Sequence, residues 1–267
     1  MTATGRTPVV FIHGLWLHAS SWGPWLDLFR DAGYAPLAPG WPGEPDTVQE
    51  ARRHPEVVAD TGLHDATEHF GRILASVDGN AIVIGHSFGG LIAQQLLGQG
   101  RAAAAVAIDP AQMKGVLPLP LAQIRSALPA LRNPANLHRS VSLTRQAFRY
   151  GFGNALPQEE SDQLYDTWTI PAPARPVFQA ATANFAPRSA AKVDTGNAAR
   201  GPLLIVSGTQ DHTVPDVTTR ATFKQYRRSP AVTELRQFEN RGHSLTVDSG
   251  WQEIAQDVLQ WLRGRGL

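Results

Sequence analysis

Ala81-Ile82-Val83-Ile84-Gly85-His86-Ser87-Phe88-Gly89-Gly90-Leu91-Ile92-Ala93-Gln94-Gln95-Leu96-Leu97 decides how the rest of the chain is read. The apolar, largely β-branched run Ala81 to Ile84 predicts a buried strand. The stretch from Gly90 to Leu97 predicts a helix. Between them stands Gly-x-Ser-x-Gly, and in a strand–turn–helix context this pattern places a serine hydroxyl on a sharp, exposed turn. A turn that tight brings backbone so close to backbone that a Cβ at the flanking positions would obstruct it, which is the reason for glycine there. The plain alternative is an ordinary glycine-rich βα turn. The flanking strand and helix favour Ser87 as a candidate nucleophile.

Outward from this stretch the chain alternates. Pro8 to Ile12 predicts a buried parallel strand, and Trp22 to Ala32 predicts a helix with Trp22, Trp25, Leu26 and Phe29 at helical spacing and Gly33 as a stop. Tyr34 to Ala38 reads as a short strand closed by Pro39-Gly40-Trp41-Pro42-Gly43. The polar segment from Glu44 to Asp60, with two prolines, reads as a loop. Gly62 to Val77 has helical periodicity, and Ala103 to Ile108 is a further strand. Strands and helices alternating at this spacing imply right-handed βαβ units and a parallel sheet. The alternation then breaks. From 111 to 199 the sequence offers short amphipathic stretches, Leu121 to Leu131, Val141 to Phe152 and Glu159 to Trp168, separated by prolines. It resumes with a strand at Leu203 to Ser207, a helix near Asp216 to Tyr226, a strand at Val232 to Phe238 and a closing helix at Trp251 to Leu262. The expected fold is therefore α/β, with a core from 1–110 and 200–267 and a helical insertion over 111–199.

Composition narrows the function classes. In 267 residues, 42% are apolar and 18% charged, which describes a globular chain large enough for one substantial core. A net charge of +1 gives no overall electrostatic case for nucleic acid or an anionic membrane as partner. With no cysteine there is no disulfide framework, thiol nucleophile or thiolate metal site. Met1 to Pro8 is short and polar and does not read as a signal peptide, and the apolar runs are too short to span a bilayer. A cytoplasmic location is the expectation. Nine histidines are scattered without His-x-x-His or His-Glu-x-x-His spacing, so no metal site is expected.

A serine hydroxyl is a weak nucleophile and needs a base that a third group orients. Gly208-Thr209-Gln210-Asp211 follows a predicted strand, and Gly242-His243-Ser244 follows the last one. Asp211 and His243 therefore fall at the carboxyl ends of parallel strands, where sites form. The chain order Ser87, Asp211, His243 is the order of the α/β-hydrolase triad. Asp109, at the end of the strand beside that of Ser87, is a competing acid.

Four motifs taken together, Phe11-Ile12-His13-Gly14, Gly85-His86-Ser87-Phe88-Gly89-Gly90, Gly208-Thr209-Gln210-Asp211-His212-Thr213-Val214-Pro215 and Gly242-His243-Ser244, resemble the α/β-hydrolase superfamily with a helical cap. The branch of small bacterial serine esterases and cofactor-free haloperoxidases is the one most similar, and the resemblance covers almost the whole chain. It implies an α/β-hydrolase fold with Ser87, Asp211 and His243 as catalytic residues and no cofactor. The family commonly has two more strands before the His-Gly strand, so about six are expected here. The turn at 39–43 also lacks the family's usual aspartate. The resemblance further implies an oxyanion hole from the backbone N–H groups of Phe88 and of Leu15, with Trp16 the alternative to Leu15, since preorganised donors hold developing charge without rearranging. His13 is expected to structure the loop after it, and His86 to pack or hydrogen-bond away from Ser87.

Trp16, His18, Phe148, Phe152, Trp168 and Phe178 are the candidate pocket residues, because covered pockets are mostly apolar. Most insertion aromatics, Phe185 among them, would nevertheless serve the insertion's own packing. The remaining histidines, 54, 64, 69, 138 and 212, read as surface residues. The function expected is cleavage of small or medium carboxylic esters through an acyl-enzyme. Lactone opening or perhydrolysis on the same triad, a hydroxynitrile-lyase-like reaction, and a slow-turnover ligand receptor are the alternatives. The lyase would need a cation near the site, for which Lys192 is the nearest candidate. A small-molecule ester or lactone is the expected partner, and nothing in the sequence sets the oligomeric state.

Overall fold

The structure is a computed structural model that describes residues 5–77 and 80–267. The amino-terminal reading, where it concerns residues 1–4, lies outside the described residues. Along the chain the elements are β1 (Pro8–Ile12), α1 (Gly23–Asp31), β2 (Ala35–Leu37), α2 (Val48–Arg53), α3 (Leu63–Ser76), β3 (Ile82–His86), α4 (Phe88–Gly98) and β4 (Ala104–Ile108). Then come α5 (Leu121–Leu131), β5 (Ser140–Val141), α6 (Arg145–Gly151), α7 (Gln158–Trp168), β6 (Ala172–Pro173) and α8 (Arg175–Ala181). The chain closes with β7 (Leu203–Gly208), α9 (Asp216–Gln225), β8 (Thr233–Phe238) and α10 (Trp251–Arg263).

Six strands form one parallel sheet in the order β2-β1-β3-β4-β7-β8. The order reverses between β1 and β3, the switch point at which parallel sheets open a crevice for ligands. The four central strands are buried on both faces, and their residues divide by parity. Val10, Ile12, Val83, Ala105, Ala107, Leu203 and Ile205 face one apolar core. Val9, Phe11, Ile82, Ile84, Val106, Leu204 and Val206 face the other, which α1 and α10 close with Trp25, Phe29, Ile254, Val258 and Leu262. Fully burying an aliphatic or Phe side chain stabilises by roughly 1.5–3 kcal/mol each, so these two faces supply most of the driving force. All eleven residues of α4 are buried, as a helix apolar on every side requires. Pro36, which has no N–H for a central ladder, sits on the edge strand β2.

The segment from 44 to 60, expected as a loop, holds α2 and a 3-10 turn at Pro55–Val58. Thr47 starts α2 by accepting from Glu50 N (3.2 Å), and the prolines at 45 and 55 bracket it, which leaves too short a window for periodicity to show. Between β4 and β7 the regular structure is chiefly the four helices α5 to α8, joined by long irregular stretches. Its only strands among the described residues are β5 and β6, a two-residue antiparallel pair. No described helix is long and apolar enough to cross a membrane.

Candidate active site

Ser87 occupies the turn between β3 and α4 with φ 55° and ψ −119°. A non-glycine residue held there is strained, and such strain gathers at functional sites. The neighbours explain how the turn is held. A Cβ on Gly85 would meet the Gly89 carbonyl oxygen at 2.1 Å, and one on Gly89 would meet the Ile12 oxygen at 2.1 Å. Ser87 N donates to Ile108 O (2.9 Å), and Ser87 O accepts from Ala111 N (2.9 Å), so the turn is also laced to the end of β4.

His243 lies in the loop after β8 and Asp211 in the loop after β7, and the side chains of both are wholly buried. His243 Nδ1 donates to Asp211 Oδ2 at 2.6 Å. The other carboxylate oxygen of Asp211 accepts from Thr213 N (2.6 Å) and Val214 N (2.8 Å), which fixes its plane. The two loops are tied together by Gln210 N to Arg241 O and by Thr209 N to Phe238 O. With its proton on Nδ1, neutral His243 carries a lone pair on Nε2, and that atom has no hydrogen-bond partner among the described residues.

His86 is buried and hydrogen-bonded. Its Nε2–H donates to the His243 carbonyl (2.9 Å), and its ring lies 4.5 Å from the His243 ring. Burial and the adjacent His243 push the His86 pKa well below the ordinary histidine value, so it is a neutral ring packed beside His243. Asp109, with φ 41° and no exposure, accepts from Gly208 N (2.8 Å). Burial, then the neighbouring Asp211 carboxylate, push the Asp109 pKa well above the ordinary carboxylate value. Donor atoms of His86, Asp109 and His243 lie within 4.8 Å of one another, a grouping the spacing of the sequence could not reveal. Hydrogen bonds to the His243 carbonyl, Asp211 and Gly208 already engage one atom of each.

On the opposite side of Ser87 runs the loop after β1. A Cβ on Gly14 would sit 2.6 Å from Ser87 Cβ, so this loop packs directly on the serine. Among the described residues the N–H groups of Leu15, Trp16 and Phe88 donate to no backbone carbonyl. Trp16 has φ 67°. The loop is held from below by a residue the sequence reading passed over. Glu44 is buried. Its Oε2 lies 2.9 Å from His13 Nε2, an ion-pair distance, and its Oε1 accepts from Ala19 N (3.0 Å). His13 Nδ1 donates to Gly14 O (2.8 Å). Burial opposes charge on each partner. The charge and hydrogen bond of the other partner outweigh it, raising the pKa of His13 and lowering that of Glu44. Only a buried acidic residue beside a Gly-Pro turn could have signalled this, and the sequence does not distinguish it from a surface glutamate.

The pocket candidates separate. Phe152 sets its edge against His243 (ring centroids 4.8 Å), stacks on Phe148 (5.0 Å) and stands perpendicular to Trp16 (6.4 Å). Trp16 also donates to Val141 O (2.9 Å), joining the loop to the insertion. Trp168 and Phe178 pack half-buried against the larger core. His18, expected at a pocket mouth, is instead a structural cap. Its Nδ1 pairs with Ser20 Oγ (2.7 Å) and its Nε2 with Pro45 O (3.0 Å), which leaves no ring nitrogen for a ligand. His212, expected at the surface, meets Tyr150 through Nδ1 and the Tyr150 carbonyl (3.0 Å).

A six-stranded parallel sheet with a serine on the strained turn after β3, and with an aspartate and a histidine joined at the ends of β7 and β8, defines the class of α/β-hydrolases. A sequence model described as the Alpha/beta hydrolase family matches residues 9–257, and the chain belongs to that family. Among solved structures it is similar to the monoacylglycerol lipase of Paleococcus ferrophilus, with TM-score 0.65, 20% identity, and 97% of this chain and 95% of that one covered. It is also similar to a thermophilic esterase of Thermogutta terrifontis, with TM-score 0.67, 16% identity and coverage of 97% and 90%. A methylesterase from Arabidopsis has TM-score 0.66, 16% identity and coverage of 96% and 99%. At these identities the likeness speaks to the fold. A search of curated proteins returned no match.

Proposed function

We propose that this chain is a serine hydrolase of carboxylic esters, working without a cofactor through Ser87, His243 and Asp211 beneath a helical cap formed by residues 111–199. The observation that carries the reading is the buried 2.6 Å contact between Asp211 and His243 Nδ1, which leaves Nε2 as the base, with Ser87 on the strained turn after β3 of the same sheet. His243 takes the Ser87 proton as the serine oxygen attacks the acyl carbonyl. The N–H groups of Phe88 and Leu15 receive the oxyanion. The alcohol leaves with the proton from His243, and water, deprotonated in turn by His243, releases the acid and restores Ser87. Phe152, Phe148 and Trp16 form the apolar wall beside the base. That the structural neighbours are named as esterases and lipases supports an ester as substrate. Lys192 is exposed, and its carbonyl accepts from Gln95, two turns along α4 from Ser87, so the cation that a lyase would use lies elsewhere. Lactones and peroxide-dependent acyl transfer fit the same acyl-enzyme.

The test is hydrolysis of p-nitrophenyl esters from acetate to long acyl chains. Wild type turns over one part of the series, and Ser87→Ala, folded as judged by its melting curve, loses at least about a thousandfold. Equal turnover by the variant removes Ser87 from the mechanism.

A further inference from the structure

Nine large apolar side chains are exposed among the described residues, and five of them, Leu117, Leu119, Leu121, Ile124 and Leu128, fall within a dozen positions at the start of the insertion. Phe185, 87% exposed, joins them in space. Its neighbour Asn184 accepts from Gly115 N (2.7 Å) and donates to Val116 O (2.8 Å), which pins the phenylalanine beside the leucine-rich segment. On α5 the exposed positions are Leu121, Ile124, Arg125 and Leu128, continued by Arg132, at intervals of three and four, so apolar and cationic side chains share one stripe of the helix. Soluble surfaces scatter their exposed apolar residues singly, and a contiguous patch marks a place where something binds.

Charge says what binds. From Pro110 to Gln158 the sequence holds Lys114, Arg125, Arg132, Arg139, Arg145 and Arg149 and not one carboxylate; of these, Arg145 is paired with Asp162 and Asp166 of α7. The whole-chain balance of +1 conceals this because the carboxylates lie elsewhere. Arg125 is exposed, with its guanidinium 3.9 Å over the Tyr150 ring, and Arg188 is exposed just past Phe185. A second copy docked through the same face would set the exposed Arg125, Arg132 and Arg188 against their own counterparts. An anionic lipid surface instead offers phosphate to the guanidinium groups and an acyl phase to the leucines and Phe185.

We propose that α5, the segment leading into it and Phe185 form a peripheral docking surface for anionic lipid membranes. The inference is independent of the ester reading, because binding is measured without substrate and with the Ser87→Ala chain as well as wild type. The experiment is cosedimentation of the full chain with vesicles of phosphatidylcholine, alone or mixed with phosphatidylglycerol. Binding to the mixed vesicles that weakens as salt rises is expected, with little binding to phosphatidylcholine alone. R125E with R132E lowers the partition coefficient by at least about tenfold, as does Leu121→Gln with Leu128→Gln, while melting temperatures stay near wild type. Absence of binding to the mixed vesicles, equal binding to both kinds, or indifference to either double variant overturns the proposal. A concentration-dependent dimer dispersed by the leucine variants, without vesicle binding, assigns the surface to a second copy.

Discussion

Two buried carboxyls stand at neighbouring strand ends and do different work. Asp211 accepts from His243 Nδ1 and from two backbone N–H groups, whereas Asp109 accepts from Gly208 N and keeps its second oxygen unpaired. The sequence presents both as an aspartate after a strand, and nothing local separates them. Their partners do. In the folded state Asp109 retains a proton that the unfolded chain releases near pH ~3.9, so its contribution to stability falls as pH rises above that value until the raised folded-state pKa is reached. Asp109→Asn removes that cost and raises the melting temperature at neutral pH while keeping most of the turnover. Asp211→Asn loses about ten-thousandfold in turnover, because His243 is no longer held in the productive tautomer. Calorimetry and ester turnover on the two variants check this. Equal losses of turnover would make Asp109 the working acid.

At the scale of elements, the central strands and the long helices were legible because burial on both sheet faces writes an unbroken apolar run, and one-sided burial writes a helical stripe. The pieces that escaped were α2, α8 and the β5–β6 pair, each too short to show a period. The turn at Ser87 combines both kinds of information. Glycine was expected at its flanks, and the close approaches give the reason a magnitude. In the first turn of an ordinary helix, replacing glycine by alanine gains up to about 1 kcal/mol. Gly89→Ala reverses that sign, because the added methyl would meet the Ile12 carbonyl at 2.1 Å. A net loss of more than about 2 kcal/mol in denaturant titrations is expected. A neutral or stabilising substitution would mean that the turn can open without loss.

For the whole molecule, the sequence marked out an insertion but could not show how it is attached. Phe148, Ala172, Ala174 and Val177 of the insertion belong to the same apolar cluster as Leu63, Leu91 and Ile205 of the sheet layers. Trp16 reaches Val141 across 125 residues of chain, a separation at which no local pattern carries information. A segment that shares its core does not melt alone, so calorimetry should record one cooperative transition with equal calorimetric and van't Hoff enthalpies. Two resolved transitions would show that the inserted helices hold a core of their own.

The pairing of Glu44 with His13 and Ala19 makes a heritable unit of two segments that are far apart in the chain. A loop from 13 to 19 grafted onto another scaffold without its glutamate would arrive with the buried His13 ring and the Ala19 N–H deprived of their partner. Glu44 transplanted alone would be an unmatched anion in an apolar setting. Either mismatch costs several kcal/mol, on the order of 3–5 kcal/mol when one partner of a buried pair is lost. Recombination or redesign of this protein therefore has fewer workable crossover points than its loops suggest, and none of them lies between 13 and 44.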